Sequence, residues 1–215
     1  MDSFNKLADL FRQFPGIGPR QAKRFVYFLL SRDKEYLEEL NALMGTLKEQ
    51  IVQCKECFRF FQKKNGTSLC PICADPNLDT SELMVVAKDT DLEAMEKSSM
   101  YHGKYFVLGG TISLVERKNG NKLRLKELTS CVSRALTPAT EQQRSSRRLS
   151  GAQSLKEVIL ALSANPDGEY TAEELKRLLT PLSVKISTLG RGLSTGSELE
   201  YADSETIKSA LKNRG

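Results

Sequence analysis

An α/β fold is predicted: a small helical module first, then a four-cysteine knuckle, then a mostly parallel sheet with helices on both faces. Three observations carry it. Apolar residues recur at helical spacing before residue 50. Two tight cysteine pairs follow, Cys54-x-x-Cys57 and Cys70-x-x-Cys73. After residue 80, short apolar runs alternate with helix patterns. Such runs suit strands buried on both faces, as in parallel sheets.

The helical module is read from spacing and breakers. Phe4, Leu7, Leu10 and Phe11 place a helix over residues 3–13. Phe14-Pro15-Gly16-Ile17-Gly18-Pro19 interrupts it, and Pro19 suits the first turn of a second helix, 19–31. That helix has an apolar face of Ala22, Phe25, Val26, Leu29 and Leu30. A third spans about 34–50. Glycine-Ile-glycine between two amphipathic helices is a helix-hairpin-helix signature. Gly16 and Gly18 permit positive φ and a close ligand, while Ile17 pins the turn inward. Backbone N–H groups opening the second helix then form a phosphate site, with Arg20, Lys23 and Arg24 in reach of a DNA backbone. The plainer alternative is a glycine turn with a solvated basic face.

Two residues between thiols turn both sulfurs of a pair toward one point. Twelve residues between the pairs let the second fold back to complete a tetrahedron. A closed shell of Cys54, Cys57, Cys70 and Cys73 predicts one structural Zn²⁺. Two disulfides or a redox dithiol are the alternatives, and disulfides need an oxidising compartment. No apolar run reaches the ~20 residues of a membrane span, and the acid-containing start lacks a signal-peptide layout. A cytoplasmic protein with reduced thiols is therefore expected. Cys131, in a helical stretch, reads as a small apolar residue.

The sheet is read element by element. Strands are predicted at 83–87, 105–108, 158–162 and 184–186, and helices at 89–98, 122–136 and 172–179. Asp89 or Thr90 is the expected cap of the first of these helices, with Leu92 and Met95 inward. Gly109-Gly110 ends the second strand and lacks the Lys-Ser/Thr of a phosphate loop. Residues 137–154 are rich in Ser, Gln and Arg and read as a polar insertion, more simply a solvated linker than a nucleic-acid contact. His102 is the only histidine and reads as a surface or strand-edge residue, so no Ser-His-Asp or Cys-His set can be assembled. Tyr201 and Asp203 suit packing and an N-cap before a terminal helix. The net charge of +5 hints at a polyanionic partner.

These residues carry a resemblance to the RecR family of recombination mediators. FPGIGPRQAKRF resembles its helix-hairpin-helix, and the cysteine knuckle follows at the matching place. LMVVAKDTDLEAME and YHGKYFVLGG resemble the opening of its Toprim domain. EVILALSANPDGEYTAEEL resembles the later acidic strand-loop-helix, and RGLSTGSELEYADSETIKSAL the C-terminal segment. The order of these motifs is more specific than any one of them. The resemblance implies a helix-hairpin-helix module over 1–52, a zinc knuckle over 53–80, a Toprim-like domain over 81–190 and an oligomerisation segment over 191–215. It also implies a ring-like or clamp-like homo-oligomer, a dimer or tetramer, that grips DNA and works with RecO and RecF. The family's hairpin contacts with DNA fall on Arg20 and Arg24.

The sequence also departs from the pattern. Toprim enzymes use a glutamate at the end of the first strand and an acidic pair later, because Mg²⁺ needs converging oxygens. The glutamate position holds Ala87, followed by Lys88, while Asp167 and Glu169 remain around Gly168. A non-catalytic DNA clamp in recombinational repair is the expected function, with Asp167 and Glu169 as a docking remnant for a partner. The alternative is a Mg²⁺-dependent nuclease or primase-like enzyme using those two acids. A zinc-ribbon adaptor that binds only protein is a third reading.

Overall fold

The computed structural model describes residues 2–63, 66–114, 123–137, 154–190 and 204–212, together with 192, 193, 196, 200 and 202. The chain forms two compact units, Met1–Val52 and Gln53–Gly215. The polar insertion lies outside the described residues except for Thr137 and Ser154, as do Tyr201 and Asp203.

The first unit holds α1 (Ser3–Phe11), α2 (Pro19–Leu30) and α3 (Lys34–Gln50). Asp2 caps α1 by accepting from the Asn5 N–H at 2.8 Å, and Asp33 caps α3 by accepting from Tyr36 at 2.9 Å. Ala8, Ala22 and Val26 are buried between α1 and α2, and Phe11 meets Phe25 edge-on at 5.7 Å. Small residues at 8 and 22 let the two helices approach closely. By contrast, α3 has no buried residue; Leu43, Met44 and Leu47 are more than half exposed.

Strand β1 (Ile51–Gln53) runs across the boundary between the units; β1 and β2 (Phe60–Gln62) flank the first cysteine pair, and in the second unit α4 (Pro71–Ala74) carries the second pair. The sheet is built from β3 (Asp79–Val86), β4 (Gly103–Val107), β5 (Glu157–Ala161) and β6 (Lys185–Thr188). Its order is β4-β3-β5-β6, parallel throughout. Helices α5 (Asp89–Ser98), α6 (Leu125–Leu136) and α7 (Pro166–Leu179) link the strands, and α8 (Ser204–Lys212) ends the described chain. Alternation along β3 divides the core. Leu83 and Val85 pack with Leu128, Val132, Leu175 and Leu179 from α6 and α7 on one face. Met84 and Val86 pack with Leu92 of α5 and with Cys54, Cys57 and Cys70 on the other.

Two local expectations are corrected. Helix α7 starts at Pro166, not Ala172, so Asp167 and Glu169 lie in a helical first turn instead of a loop. Proline is tolerated at the first helical position, and the Asn165 side chain caps the turn by accepting from Gly168 N–H at 2.8 Å. Glycine is needed at 168, despite its poor helix propensity, because the Ser163 carbonyl leaves no room for a side chain there. Helix α5 spans 89–98 as expected, but its cap position is neither Asp89 nor Thr90. Lys88 is its N-cap position, and Asp91 accepts from the Lys88 N–H at 3.0 Å. Asp89 instead accepts from Phe60 N–H at 2.8 Å, which ties β2 to the start of α5.

Candidate metal centre and nucleic-acid interface

All four cysteine sulfurs lie within 4.8 Å of one another, and three of the four residues are buried. Cys57 and Cys70 sulfurs are 3.6 Å apart. A tetrahedron of Zn–S bonds near 2.3 Å has an edge of about 3.8 Å, so the donors fit a single ion. Backbone N–H groups of Cys70 and Cys73 point at Cys54 and Cys70 Sγ, at 3.4 and 3.5 Å, as suits thiolate charge. Hydrogen bonding from Cys57 pulls the Cys54 thiol far down. Hydrogen bonding to Cys54 pushes Cys57 and Cys73 up. The Cys70 thiol is lowered as well, to about 7, and ionising all four sulfurs this close together calls for a cation. These residues would hold the metal, which would supply a closed, non-reactive cross-link.

The knuckle is fastened to the sheet. The Val107 N–H donates to Cys57 O at 2.8 Å. Phe58 takes a left-handed φ of 62°, costly for an aromatic residue. It meets Phe106 edge-on at 5.2 Å, with the Arg124 guanidinium 5.4 Å from its ring centre. Arg124 also donates to Val107 O at 2.7 Å, and Arg59 pairs with Glu96 at 2.9 Å.

In the first unit, Gly16 has φ +76° while Gly18 is extended at −83°. Only Gly16 uses the left-handed freedom expected of both glycines. Gly18 is the N-cap of α2 and offers no side-chain cap, which leaves the first-turn N–H groups for solvent or a ligand. Ile17 is half-buried, and its N–H donates to Phe14 O at 3.2 Å. Arg20, Lys23 and Arg24 are all exposed on the outer face of α2.

At the carboxyl end of the sheet the acids do not converge. Ala87, just past β3, is buried and presents no oxygen from its side chain, and Lys88 is exposed. Asp167 is half-buried and accepts from Leu114 N–H at 3.0 Å. Nearby, Thr171 Oγ1 accepts from Ile112 N–H at 2.8 Å, so the segment after Gly110 is strapped to α7. Glu169 is exposed, and residues two apart on a helix do not share a face. His102 is exposed, and its carbonyl accepts from Asp79 N–H at 3.0 Å.

Residues 4–47 match the family model "RecR, helix-hairpin-helix", residues 81–190 the Toprim domain, and residues 192–214 "RecR, C-terminal". A Recombination protein RecR of Dehalococcoides mccartyi is 37% identical over 210 residues, covering 98% of this chain and 92% of that protein. The chain belongs to the RecR family. The RecR of Paracoccus denitrificans is 33% identical over 213 residues, 99% of this chain and 96% of its own. That of Legionella pneumophila is 33% identical over 214 residues, 100% and 96% respectively. In RecR terms, the parallel sheet is the Toprim domain and the glycine turn between α1 and α2 is the helix-hairpin-helix. Sequence reasoning missed the strap formed by Asp167 and Thr171. A threonine four residues after an aspartate near a helix start was its only signal.

Proposed function

We propose that this chain is a non-catalytic, DNA-binding RecR acting in recombinational repair. The observation that carries the reading is the uncapped start of α2 behind the Gly16 turn, with Arg20, Lys23 and Arg24 exposed along it. N–H groups and guanidinium groups there suit phosphate and carry no base information. The four thiolates hold one structural Zn²⁺. A protein with no catalytic turnover is favoured by Ala87, and by an Asp167 already committed to Leu114.

The module boundaries assigned from sequence, 1–52, 53–80, 81–190 and 191–215, go with this reading. A homo-oligomer, dimer or tetrameric ring, is supported by α3. Its Leu43, Met44 and Leu47 are each more than half exposed on one side of the helix, apolar surface that a second copy would cover. Asp167 and Glu169, at the start of α7, give an acidic surface for a basic RecO- or RecF-like protein, where charge sets encounter rate and register. No helix among the described residues is long and apolar enough to cross a membrane, and a cytoplasmic setting suits reduced thiols.

The test is DNA binding by the Arg20→Ala/Arg24→Ala protein. Affinity falls across unrelated sequences. The slope of log affinity against log salt becomes shallower by roughly one to two units. Unchanged affinity and slope would make the basic face merely solvated.

A further inference from the structure

The outer face of α2 carries an aromatic ring at the centre of its charge. At about 100° per residue, Arg20, Lys23, Arg24 and Tyr27 fall within an arc of about 100°, with Tyr27 inside it. The buried Ala22 and Val26 lie outside that arc, centred about 130° away round the helix. Tyr27 is 63% exposed although Phe4 of α1 packs against it, ring centres 5.0 Å apart and tilted by 57°. That contact buttresses the ring without covering it. The other exposed aromatic residue of α2 is already occupied: the Arg32 guanidinium sits 4.2 Å from the centre of the Phe28 ring.

A cationic strip needs no aromatic residue to hold duplex phosphates. Duplex bases are stacked inside the helix and offer no face to a side chain on the outside. Single-stranded DNA does offer one, and each base has a π-face whatever its identity. An exposed, buttressed ring flanked on both sides by cations combines a stacking platform with a backbone track.

We propose that Tyr27 stacks on an unpaired base, so that the α2 face binds single-stranded DNA more tightly than blunt duplex. The inference rests on the DNA-binding reading of the hairpin and adds the class of DNA that it takes. Phosphates lie along Arg20, Lys23 and Arg24, and a base turns toward the ring. The tyrosine hydroxyl is not required, because the π-face makes the contact.

The experiment compares three probes of equal length at one salt concentration: oligo-dT, the same backbone built from abasic residues, and a blunt duplex. The wild-type protein and Tyr27→Phe bind oligo-dT about tenfold more tightly than the abasic strand. Tyr27→Leu keeps an apolar contact with Phe4, and so binds the two single strands equally while its duplex affinity stays within about twofold. The mass of each variant in solution is measured alongside. The stacking role is overturned if Tyr27→Leu retains the preference for bases, or weakens all three probes alike. A reduced oligomer mass in Tyr27→Leu overturns it too, since it would place the ring between copies of the chain. Loss of binding in Arg20→Ala/Arg24→Ala with silent Tyr27 variants would remove stacking and leave the hairpin reading standing. Failure of the wild-type protein to bind any of the probes would remove both.

Discussion

Replacing Gly168 with alanine should destabilise the second unit, against the sign that helix propensity alone would give. A glycine inside a helix costs about 1 kcal/mol relative to alanine, so an unobstructed site would gain from the change. Here a Cβ would fall far inside van der Waals contact of the Ser163 carbonyl oxygen, 3.0 Å from the carbonyl carbon and 3.1 Å from Asn165 Oδ1. The obstacle is backbone and a capping side chain, neither of which can rotate away. Overpacking of this kind costs about 1–3 kcal/mol, and the rigid partner puts it at the upper end. Displacing Asn165 also forfeits the N-cap bond to the residue 168 N–H, about 1 kcal/mol more.

Net of the propensity gain, the loss is about 3 kcal/mol, a fall in melting temperature of roughly 6–12 °C for a chain of this size. Circular dichroism melts of wild type and Gly168→Ala measure it, with Gly45→Ala as the control. Gly45 lies within α3 and its added Cβ would meet nothing within 4 Å, so that change should be neutral or stabilising. A Gly168→Ala melting temperature within about 2 °C of wild type, or above it, would refute the packing argument.

The remaining predictions concern metal, turnover and pH. Elemental analysis of reduced, natively purified protein should find about one zinc per protomer, and Cys57→Ser should lower both zinc content and melting temperature; a metal-free, fully stable wild type would sink the zinc reading. Labelled DNA incubated with Mg²⁺ should remain intact, and Asp167→Asn/Glu169→Gln should leave DNA binding unchanged or slightly stronger. Cleavage that vanishes in that variant would promote the enzyme reading. Glu157 accepts from Lys185 Nζ at 2.7 Å and from Ser187 Oγ at 2.6 Å, and those bonds, Lys185 first, hold its carboxyl below the usual range. A lowered folded value means that this stabilisation is full above the unfolded carboxyl range, near 4.5, and is lost as pH falls through the lower folded value. Urea titrations of wild type and Glu157→Gln should therefore differ most at pH 7, with the gap narrowing as pH falls below the unfolded carboxyl range; a constant gap would remove the carboxylate from the explanation.

Features that rest on local chemistry were legible in the chain. Cysteine spacing marks a donor set that the fold does bring within 4.8 Å. Apolar runs mark β3, β4 and β5, because strands covered on both faces need no alternation, whereas the edge strand β6, Lys185–Thr188, is signalled only by Val184 and Ile186. Cys131 packs at the edge of the buried core, and burial pushes its thiol up, as befits a small apolar residue. What stayed hidden depends on tertiary contact. Pro166 and Gly168 look like loop residues until Asn165 and the Ser163 carbonyl are in place. Asp79 and Thr80 belong to β3 without the apolar pattern of Leu83–Val86. Asp89 looks like a helix cap, and its true partner is the Phe60 N–H, 29 residues earlier.

That last contact bears on why the sheet end suits docking better than chemistry. Three carboxylates near the ends of β3 and β5 each accept a backbone N–H: Asp89 from Phe60 at 2.8 Å, Asp91 from Lys88 at 3.0 Å, and Asp167 from Leu114 at 3.0 Å. A hydrogen bond to a charged group contributes about 1.5–3 kcal/mol, and each of these also fixes a segment: β2, the start of α5, and the strap after Gly110. Mg²⁺ is usually held by a carboxylate or two plus substrate phosphate, in near-octahedral geometry. Turning two of these acids toward one ion would cost about 3–6 kcal/mol of such bonds and release the segments they hold. Ala87 adds no ligand in return, and Lys88 brings positive charge to the same edge. A basic partner protein asks for none of this, since a carboxylate bonded to an N–H keeps its charge and its remaining lone pairs. On the proposed reading, the capped acids would serve as a negatively charged landing face, and the groups left to grip DNA would be those on α2.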